Sequence, residues 1–338
     1  MLELNKIYNM DCLEGMKSID DNSIDMILCD LPYGTTACSW DTIIPFKPLW
    51  EQYERIIKDK SAIVLTSSQP FTSALIMSNI KHFKYCWVWN KKKAGNIFLA
   101  QYQPMKIHED IVVFYKGLEE VKNSTENYKE LREYFKEIFN KIGLNKKQII
   151  ERIGSCADHC FRFNSSQWSI PTENTYIKIN QVFNIELKPF INIKSLYDLE
   201  TDKINNFVYN PIKTSRDKVK KSKNYGTGEV MGGNGEKEDK LYEYVDKNPE
   251  SIIEISNASQ KGKIHPTQKP VALFEYLINT YTNEKNIILD NCMGSGTTAI
   301  ACINTNRQYI GFELDNTYYN LACERVNKCL DGNMSVLV

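Results

Sequence analysis

Ile287-Ile288-Leu289-Asp290-Asn291-Cys292-Met293-Gly294-Ser295-Gly296-Thr297-Thr298-Ala299 is the stretch on which the fold turns. Its apolar start predicts a buried strand over 287–290, residues 291–296 a tight turn, and 297–304 a helix. Glycine has no side chain, so a ligand can approach Gly294 and Gly296 closely, while the helix N-terminus beyond, at Ser295 and Thr297, offers free N–H groups. A second apolar run, 308–312, then delivers Glu313 to a strand end 23 residues after Asp290. A carboxylate so placed can accept both hydroxyl hydrogens of a ribose. The run from Gly294 to Ala299 also satisfies the dinucleotide fingerprint with Ala in third place, so the turn alone does not separate one nucleoside cofactor from another. Only 25 residues follow Glu313, too few for the second half of a dinucleotide site.

The remaining strands must therefore come from the N-terminal segment. There Ile7-Tyr8 leads to Asp11, residues 13–19 have helical character, and the apolar run 24–29 predicts a buried strand with Asp30 at its carboxyl end. A helix over 49–57, a strand over 62–66 and a helix over 71–80 introduced by Pro70 continue the alternation. Strands over 85–89 and 111–115 follow, separated by a Lys- and Gly-containing connection. Placing residues 1–118 after the C-terminal unit gives one continuous α/β sheet. Asp290, Glu313, Asp11 and Asp30 then all occupy carboxyl ends of strands, where open α/β sheets bind ligands.

Composition sets the outer limits. The 338 residues, at roughly 150 per domain, suggest about two folded units or one large domain with an insert. Hydrophobic residues at 42% and charged residues at 25% exclude overall disorder and a fibrous repeat. No apolar run reaches signal-peptide or membrane-span length, so no membrane association and a cytoplasmic location are expected. Ten cysteines, scattered singly, read as reduced thiols. Cys156, His159 and Cys160 form the one suggestive cluster, but no second pair stands at zinc-finger spacing; they read as small buried residues of a helix, and no metal is expected. Net charge is zero, so a nucleic-acid partner would need positive charge gathered on one face.

The β/α alternation breaks after residue 118. Leu131, Tyr134, Phe135, Ile138, Phe139 and Ile142 mark one face of an amphipathic helix that Gly143 ends. A second helix over 146–153 with Asn145 as N-cap, and another around 157–163, fit either a helix-turn-helix or a plain helical insert. From Lys213 to Lys240, the basic run with Lys220, Lys221 and Lys223 and then Gly226, Gly228, Gly232, Gly233 and Gly235 predict a mobile loop rather than a phosphate loop, since no strand precedes the glycines. β/α structure is expected to resume at His265.

The chemistry gathers at Asp30-Leu31-Pro32-Tyr33. The exocyclic amino group of a base is a poor nucleophile because its lone pair is delocalised into the ring. Two acceptors on its hydrogens favour a tetrahedral nitrogen and free that pair. Asp30 can be one acceptor and the Leu31 carbonyl the other, since Pro32 holds the preceding residue extended. Tyr33 offers a stacking face for a base swung out of a duplex. For Asp30 alone, a strand-end turn residue is an equally good account.

With Asp30-Leu31-Pro32-Tyr33, His265-Pro266-Thr267-Gln268-Lys269-Pro270, the Asp290–Gly296 turn and Gly311-Phe312-Glu313-Leu314-Asp315 in this order, the chain resembles the amino-group DNA methyltransferases of the permuted β arrangement, over residues 4–116 and 263–327. The resemblance implies a circularly permuted class I (Rossmann-like) α/β fold that uses S-adenosyl-L-methionine (AdoMet). It makes Asp30, Leu31, Pro32 and Tyr33 catalytic and puts Asp11 near the cofactor's adenine and Glu313 on its ribose. Asp290, Gly294, Ser295, Gly296 and Thr297, with Thr267 and Lys269, would cradle its methionine end. Residues 1–117 and 262–338 would be the two halves of the catalytic domain, and 118–261 a mainly helical target-recognition insert. Leu31 stands where the family usually has Pro, and Met293 where it has Phe. An Asp-initiated motif leans towards N6 of adenine, with N4 of cytosine as the alternative. No proline is followed by cysteine, as ring-carbon methylation would require. An RNA or protein-amide methyltransferase and a non-catalytic DNA-binding module are the remaining readings. Lys91, Lys92 and Lys93, with the basic run, suit the phosphate backbone of double-stranded DNA. The sequence leaves open a companion restriction endonuclease and whether the protein is a monomer or a homodimer.

Overall fold

The computed structural model describes residues 2–35, 41–95, 97–117, 127–205, 207–222, 241–257 and 267–334. Lys223, the glycines from 226 to 235, His265 and Pro266 lie outside the described residues, as do the side chains of Lys220 and Lys221. The chain divides into two compact units, one formed by residues 1–114 with 208–338 and the other by 115–207.

The N-terminal segment alternates as its apolar runs require. Strand β1 (Lys6–Asn9) leads to the short helix α1 (Cys12–Met16), which Asp11 caps by accepting the N–H groups of Leu13 and Glu14 at 2.9 and 3.1 Å. Strand β2 (Ile24–Asp30) is followed by α2 (Phe46–Ile56), β3 (Ile57–Ser67) and α3 (Phe71–Ser78). Strands β4 (Phe83–Gly95) and β5 (Lys106–Tyr115) pair antiparallel and run into the stretch expected to be a connection, Asn90 standing opposite His108 and Gly95 opposite Lys106.

The unit 115–207 is helical. Helix α4 (Lys129–Ile142) carries the expected apolar face and ends at Gly143, whose φ of 68° is left-handed. Helix α5 (Lys146–Ile153) starts with a reciprocal capping box between Asn145 and Gln148. The helix expected around 157–163 is not there. Two 3₁₀ turns, Ser155–Ala157 and His159–Phe161, take its place, so no helix-turn-helix forms. The carbonyls of Asp158 and His159 accept N–H groups three residues on, from Phe161 and Arg162, rather than four, while the buried Arg132 guanidinium takes the carbonyls of Phe163 and Ser165 and the Trp168 indole that of Cys160. Cys160 is buried as expected, but Cys156 is exposed. Helices α6 (Glu173–Phe183) and α7 (Phe190–Asn205) complete the unit.

After this unit the basic run forms a strand rather than a loop: β6 (Thr214–Ser222) pairs antiparallel with β7 (Leu241–Lys247). Then β8 (Ile252–Glu254) joins β4 of the main sheet, where Val88 N–H donates to Ser251 O at 2.8 Å. Sheet structure thus resumes before His265, and the compact division falls at residue 207 instead of the expected 261. Helix α8 (Val271–Tyr281), β9 (Ile287–Asp290), α9 (Thr297–Asn304), β10 (Gln308–Glu313) and α10 (Asn316–Met334) follow. Among the described residues no helix is long and apolar enough to cross a membrane.

The main sheet has the order β1-β10-β9-β2-β3-β5-β4-β8. The last two strands of the chain therefore lie between its first two, and β1, β10, β9, β2 and β3 are all parallel. Their carboxyl ends share one edge.

Helix α1 crosses β10 at Gly15, where an added Cβ would lie 2.3 Å from the ring of the fully buried Phe312. Gly15→Ala should therefore destabilise the fold by about 1–3 kcal/mol through overpacking, read as a lower urea midpoint. An unchanged midpoint would show that the helix can move off the sheet freely.

Candidate active site

The shared edge opens into a cavity of about 1040 Å³, lined by Asp11, Asp30, Tyr33, Lys269, Asp290 and Glu313 among others. That volume suffices for a nucleoside cofactor together with a base. Leu31, Pro32, Thr267, Gly294, Ser295 and Thr297 also line it. Gly296 is instead the N-cap of α9 at φ 75°, and a Cβ there would meet Ala322 and Val326 at 3.3–3.4 Å. Its role is to let helix α10 pack against the turn.

Each carboxylate is anchored by a different device. Glu313 accepts the N–H of Gly294 at 2.7 Å and that of Asp315 at 2.9 Å, one on each oxygen, which fixes the carboxylate and keeps lone pairs for a further donor. Burial raises its pKa above the usual glutamate range. Gly294, at φ 54°, has no atom within 3.9 Å of where a Cβ would stand, so the turn leaves room at the cavity wall. Arg325 of α10 ties the turn from behind, donating to Ser295 O at 2.9 Å and Thr297 Oγ1 at 3.1 Å. These features fit an AdoMet-like nucleoside.

Asp30 ends β2 beside Thr66 of β3, its partner in the register. The Thr66 hydroxyl donates to Asp30 Oδ1, and the Tyr33 hydroxyl lies 2.8 Å from the same oxygen and 2.9 Å from Thr66 Oγ1. The Tyr33 ring stacks on Phe71 with centroids 5.4 Å apart, which fixes its plane. Burial, and then the Asp30 charge, hold the phenol well above its ordinary pKa, so it remains a donor. Asp41 accepts from the backbone of Gly34 and Thr35, both at 2.9 Å, and pins the chain just after the motif.

Lys269, expected at the cofactor's methionine end, lines the cavity and is paired with Asp30. Its ammonium lies 2.7 Å from both Asp30 oxygens and 3.3 Å from Glu109 Oε2. Burial works against the charge, but Asp30 and Glu109 outweigh it and raise the lysine pKa. Burial alone would raise Glu109, and Lys269 and Lys91 reverse that, holding its pKa below the ordinary value. Lys91 donates to Glu109 Oε1 at 3.1 Å and so belongs to the cavity wall. Lys92 pairs with the exposed Glu254, and Lys93 is exposed.

Sequence reasoning missed Thr66, Asp41 and Glu109. Thr66 could have been found, because it ends the strand next to Asp30. Glu109 lies in an antiparallel strand with no turn or glycine to mark it. Among the described residues no cluster of His, Cys, Asp and Glu is arranged for a metal ion.

A family model described as DNA methylase, of the N6/N4 type, matches residues 24–324. The Type II methyltransferase M.HindIII of Haemophilus influenzae is 23% identical over 328 residues, covering 95% of this chain and 94% of its own. M1.MboII of Moraxella bovis, also a Type II methyltransferase, is 22% identical over 334 residues, covering 95% and 96%. Among solved structures the PvuII DNA methyltransferase, cytosine-N4-specific, superposes with a TM-score of 0.50 at 12% identity, over 96% of this chain and 90% of that one. That last likeness is one of fold.

Asp290 is buried beneath the turn, accepting the Cys292 N–H at 3.0 Å and the hydroxyl of Thr298. Burial pushes its pKa up to about 6, above the unfolded value, so folding favours the neutral acid and the cost of its charge appears as pH rises through about 6. Thr298→Val removes a donor to that charge and should cost about 2 kcal/mol of stability at pH 8. The loss should shrink at pH 5, where the acid is mostly protonated. Urea melts at both pH values measure it, and equal losses would mean that Asp290 is not ionised at pH 8.

Proposed function

The chain belongs to the N6/N4 family of DNA methylases, and from that premise we propose that it methylates N6 of adenine at a specific site in duplex DNA, with AdoMet as donor. The observation that carries this reading is the Asp30-Leu31-Pro32-Tyr33 motif at the end of β2, opening into one cavity with Glu313 at the end of β10.

AdoMet supplies a methyl group made electrophilic by a positively charged sulfur. The protein's own part is to place two acceptors, the Asp30 carboxylate and the Leu31 carbonyl, on the hydrogens of the target amino group. The nitrogen pair would then be available for the new C–N bond as the C–S bonding pair goes to sulfur, and a proton would leave the nitrogen on the Asp30 side. Glu313 would hold the ribose through the lone pairs that Gly294 and Asp315 leave open. Asp11, spent on capping α1, shapes the wall near the adenine end.

Adenine is favoured by the Asp at the head of the motif. Nucleoside mass spectrometry of the modified DNA should show N6-methyladenine; N4-methylcytosine alone would overturn the base and leave the mechanism standing. Asp30→Ala should leave AdoMet affinity nearly unchanged while lowering transfer by at least roughly 10²-fold, and Glu313→Ala should weaken cofactor binding first. Full turnover in Asp30→Ala would sink the mechanism.

Sequence recognition is assigned to the helical unit 115–207 with the paired strands β6 and β7, which among the described residues contribute none of those lining the cavity. Lys92, Lys93, Lys220, Lys221 and Lys223 are the phosphate contacts in this reading. Lys220→Ala with Lys221→Ala should weaken binding to all duplexes alike and flatten its salt dependence. Exchanging 115–247, which holds both parts, for the equivalent of a relative with a known target should move the methylated site. An exchange that folds, binds AdoMet and still modifies the original site would place recognition in the catalytic unit.

A further inference from the structure

The two oxygens of Asp30 are unequally occupied. Oδ1 is approached by Tyr33 at 2.8 Å, by the Thr66 hydroxyl and by Lys269 at 2.7 Å, whereas among the described residues Oδ2 is hydrogen-bonded only to Lys269, at 2.7 Å. The target amino group must therefore donate to Oδ2, the atom that the ammonium covers. The same ammonium lies 5.5 Å from the centre of the Tyr33 ring, where a base would stack. Base and ammonium compete for one place.

Lys269 is only 6% exposed, so it cannot retreat into water without breaking the wall of the cavity. Glu109 supplies the other destination. Its Oε1 is held by Lys91 at 3.1 Å, and its Oε2 is buried and, among the described residues, without a hydrogen-bond partner although it stands 3.3 Å from the lysine nitrogen. A shift of under about 1 Å would turn that ion-pair contact into a charge-assisted hydrogen bond.

We propose that Lys269 stands in for the target amino group in the free enzyme and passes from Asp30 Oδ2 to Glu109 Oε2 when the base enters, which makes Glu109 a positioning residue for the reaction. The inference rests on the reading that Asp30 receives the amino group. The exchange keeps a buried carboxylate paired in both states, and it removes a cation from the oxygen that must attract the amino hydrogens. It also withdraws positive charge from the path of a cationic methyl donor.

The test uses the full chain, saturating AdoMet and duplexes carrying the site found by mapping the modification. Glu109→Gln leaves the ammonium on Asp30 and should lower the single-turnover rate at least roughly 10-fold, with AdoMet affinity within about threefold by titration calorimetry. Removing the competitor should undo this, so Glu109→Gln combined with Lys269→Met should be faster than Glu109→Gln alone. A structural role would not produce that rescue. Without cofactor, binding to duplexes whose target base carries or lacks its amino group gives a second readout. The preference for the amino-bearing base should be present in the wild type, lost in Glu109→Gln and regained in the double variant. If Glu109→Gln fails to fold, Lys269→Met alone must keep the preference at or above the wild-type level, and losing it would overturn the proposal. So would a double variant no faster than Glu109→Gln, or a Glu109→Gln enzyme with wild-type rate. Full turnover in Asp30→Ala would remove the underlying reading instead, which keeps the two failures distinct.

Discussion

Parallel pairing of β10 with β1 and of β9 with β2 is the constraint from which the site follows. Asn9 stands opposite Glu313 and Ile27 opposite Leu289, so segments from near the two ends of the sequence must meet in register before any part of the cavity exists. Because the strands run in one direction, every connection beyond a carboxyl end emerges on the same edge. A slip of one residue would turn Glu313 or Asp30 into the wrong layer and bury a charge among Ile27, Leu289 and Phe312. The nearly continuous apolar runs of β2 and β9 show that both faces of these strands are covered, which specifies the register strongly.

Such convergence gathers acidic groups, and the structure distributes their compensation unevenly. Asp11 and Glu313 are held by backbone N–H groups, and Asp290 by one N–H with the Thr298 hydroxyl. Dipoles fix a carboxylate without cancelling its charge. Asp30 differs, because it is matched by the full charge of Lys269, which also meets Glu109, itself paired with Lys91. A buried network of this kind adds little to stability beyond what apolar side chains of similar volume would give. Its place at the one carboxylate that must meet the substrate is better explained by chemistry than by folding.

Where an element's cause is local, the sequence shows it. The runs at Ile24–Asp30 and Ile287–Asp290, the glycine turn between them and α9, and the face of α4 ended by Gly143 follow from periodicity and from backbone that glycine alone adopts readily. Elements made by distant partners stay hidden. The polar β6 is a strand because β7 pairs with it across residues 223–240, and the alternating Leu241-Tyr242-Glu243-Tyr244-Val245 carries the only local sign. In place of the helix expected around 157–163 stand two 3₁₀ turns, and the carbonyls of Phe163 and Ser165 just beyond them go to Arg132, a residue of another helix. The site divides in the same way. Asp30 and Glu313 are legible as strand ends, while the partnership of Lys269 with Asp30 and Glu109 depends on three segments that only the folded sheet brings together.

The cavity also holds thiols, and their state bears on which methylation chemistry it supports. Cys12 and Cys292 line it, with Asn291 Nδ2 between them at 3.6 and 3.5 Å from the two sulfurs. Attack on a ring carbon of cytosine would require one of them as a thiolate. The surroundings oppose that. Cys12 is pushed above the ordinary thiol range by its hydrogen bond with Cys292 and then by burial, and Cys29 behind them is raised by burial to about 12. The hydrogen bond from Cys12 favours a thiolate at Cys292, but Cys29 and burial outweigh it and leave that thiol well above its usual value. These sulfurs therefore remain protonated near neutral pH and serve as small polarizable packing under the turn. Among the described residues the thiols thus offer no nucleophile for a covalent adduct, and the Asp30 carboxylate and Leu31 carbonyl at the cavity suit direct transfer to an amino nitrogen.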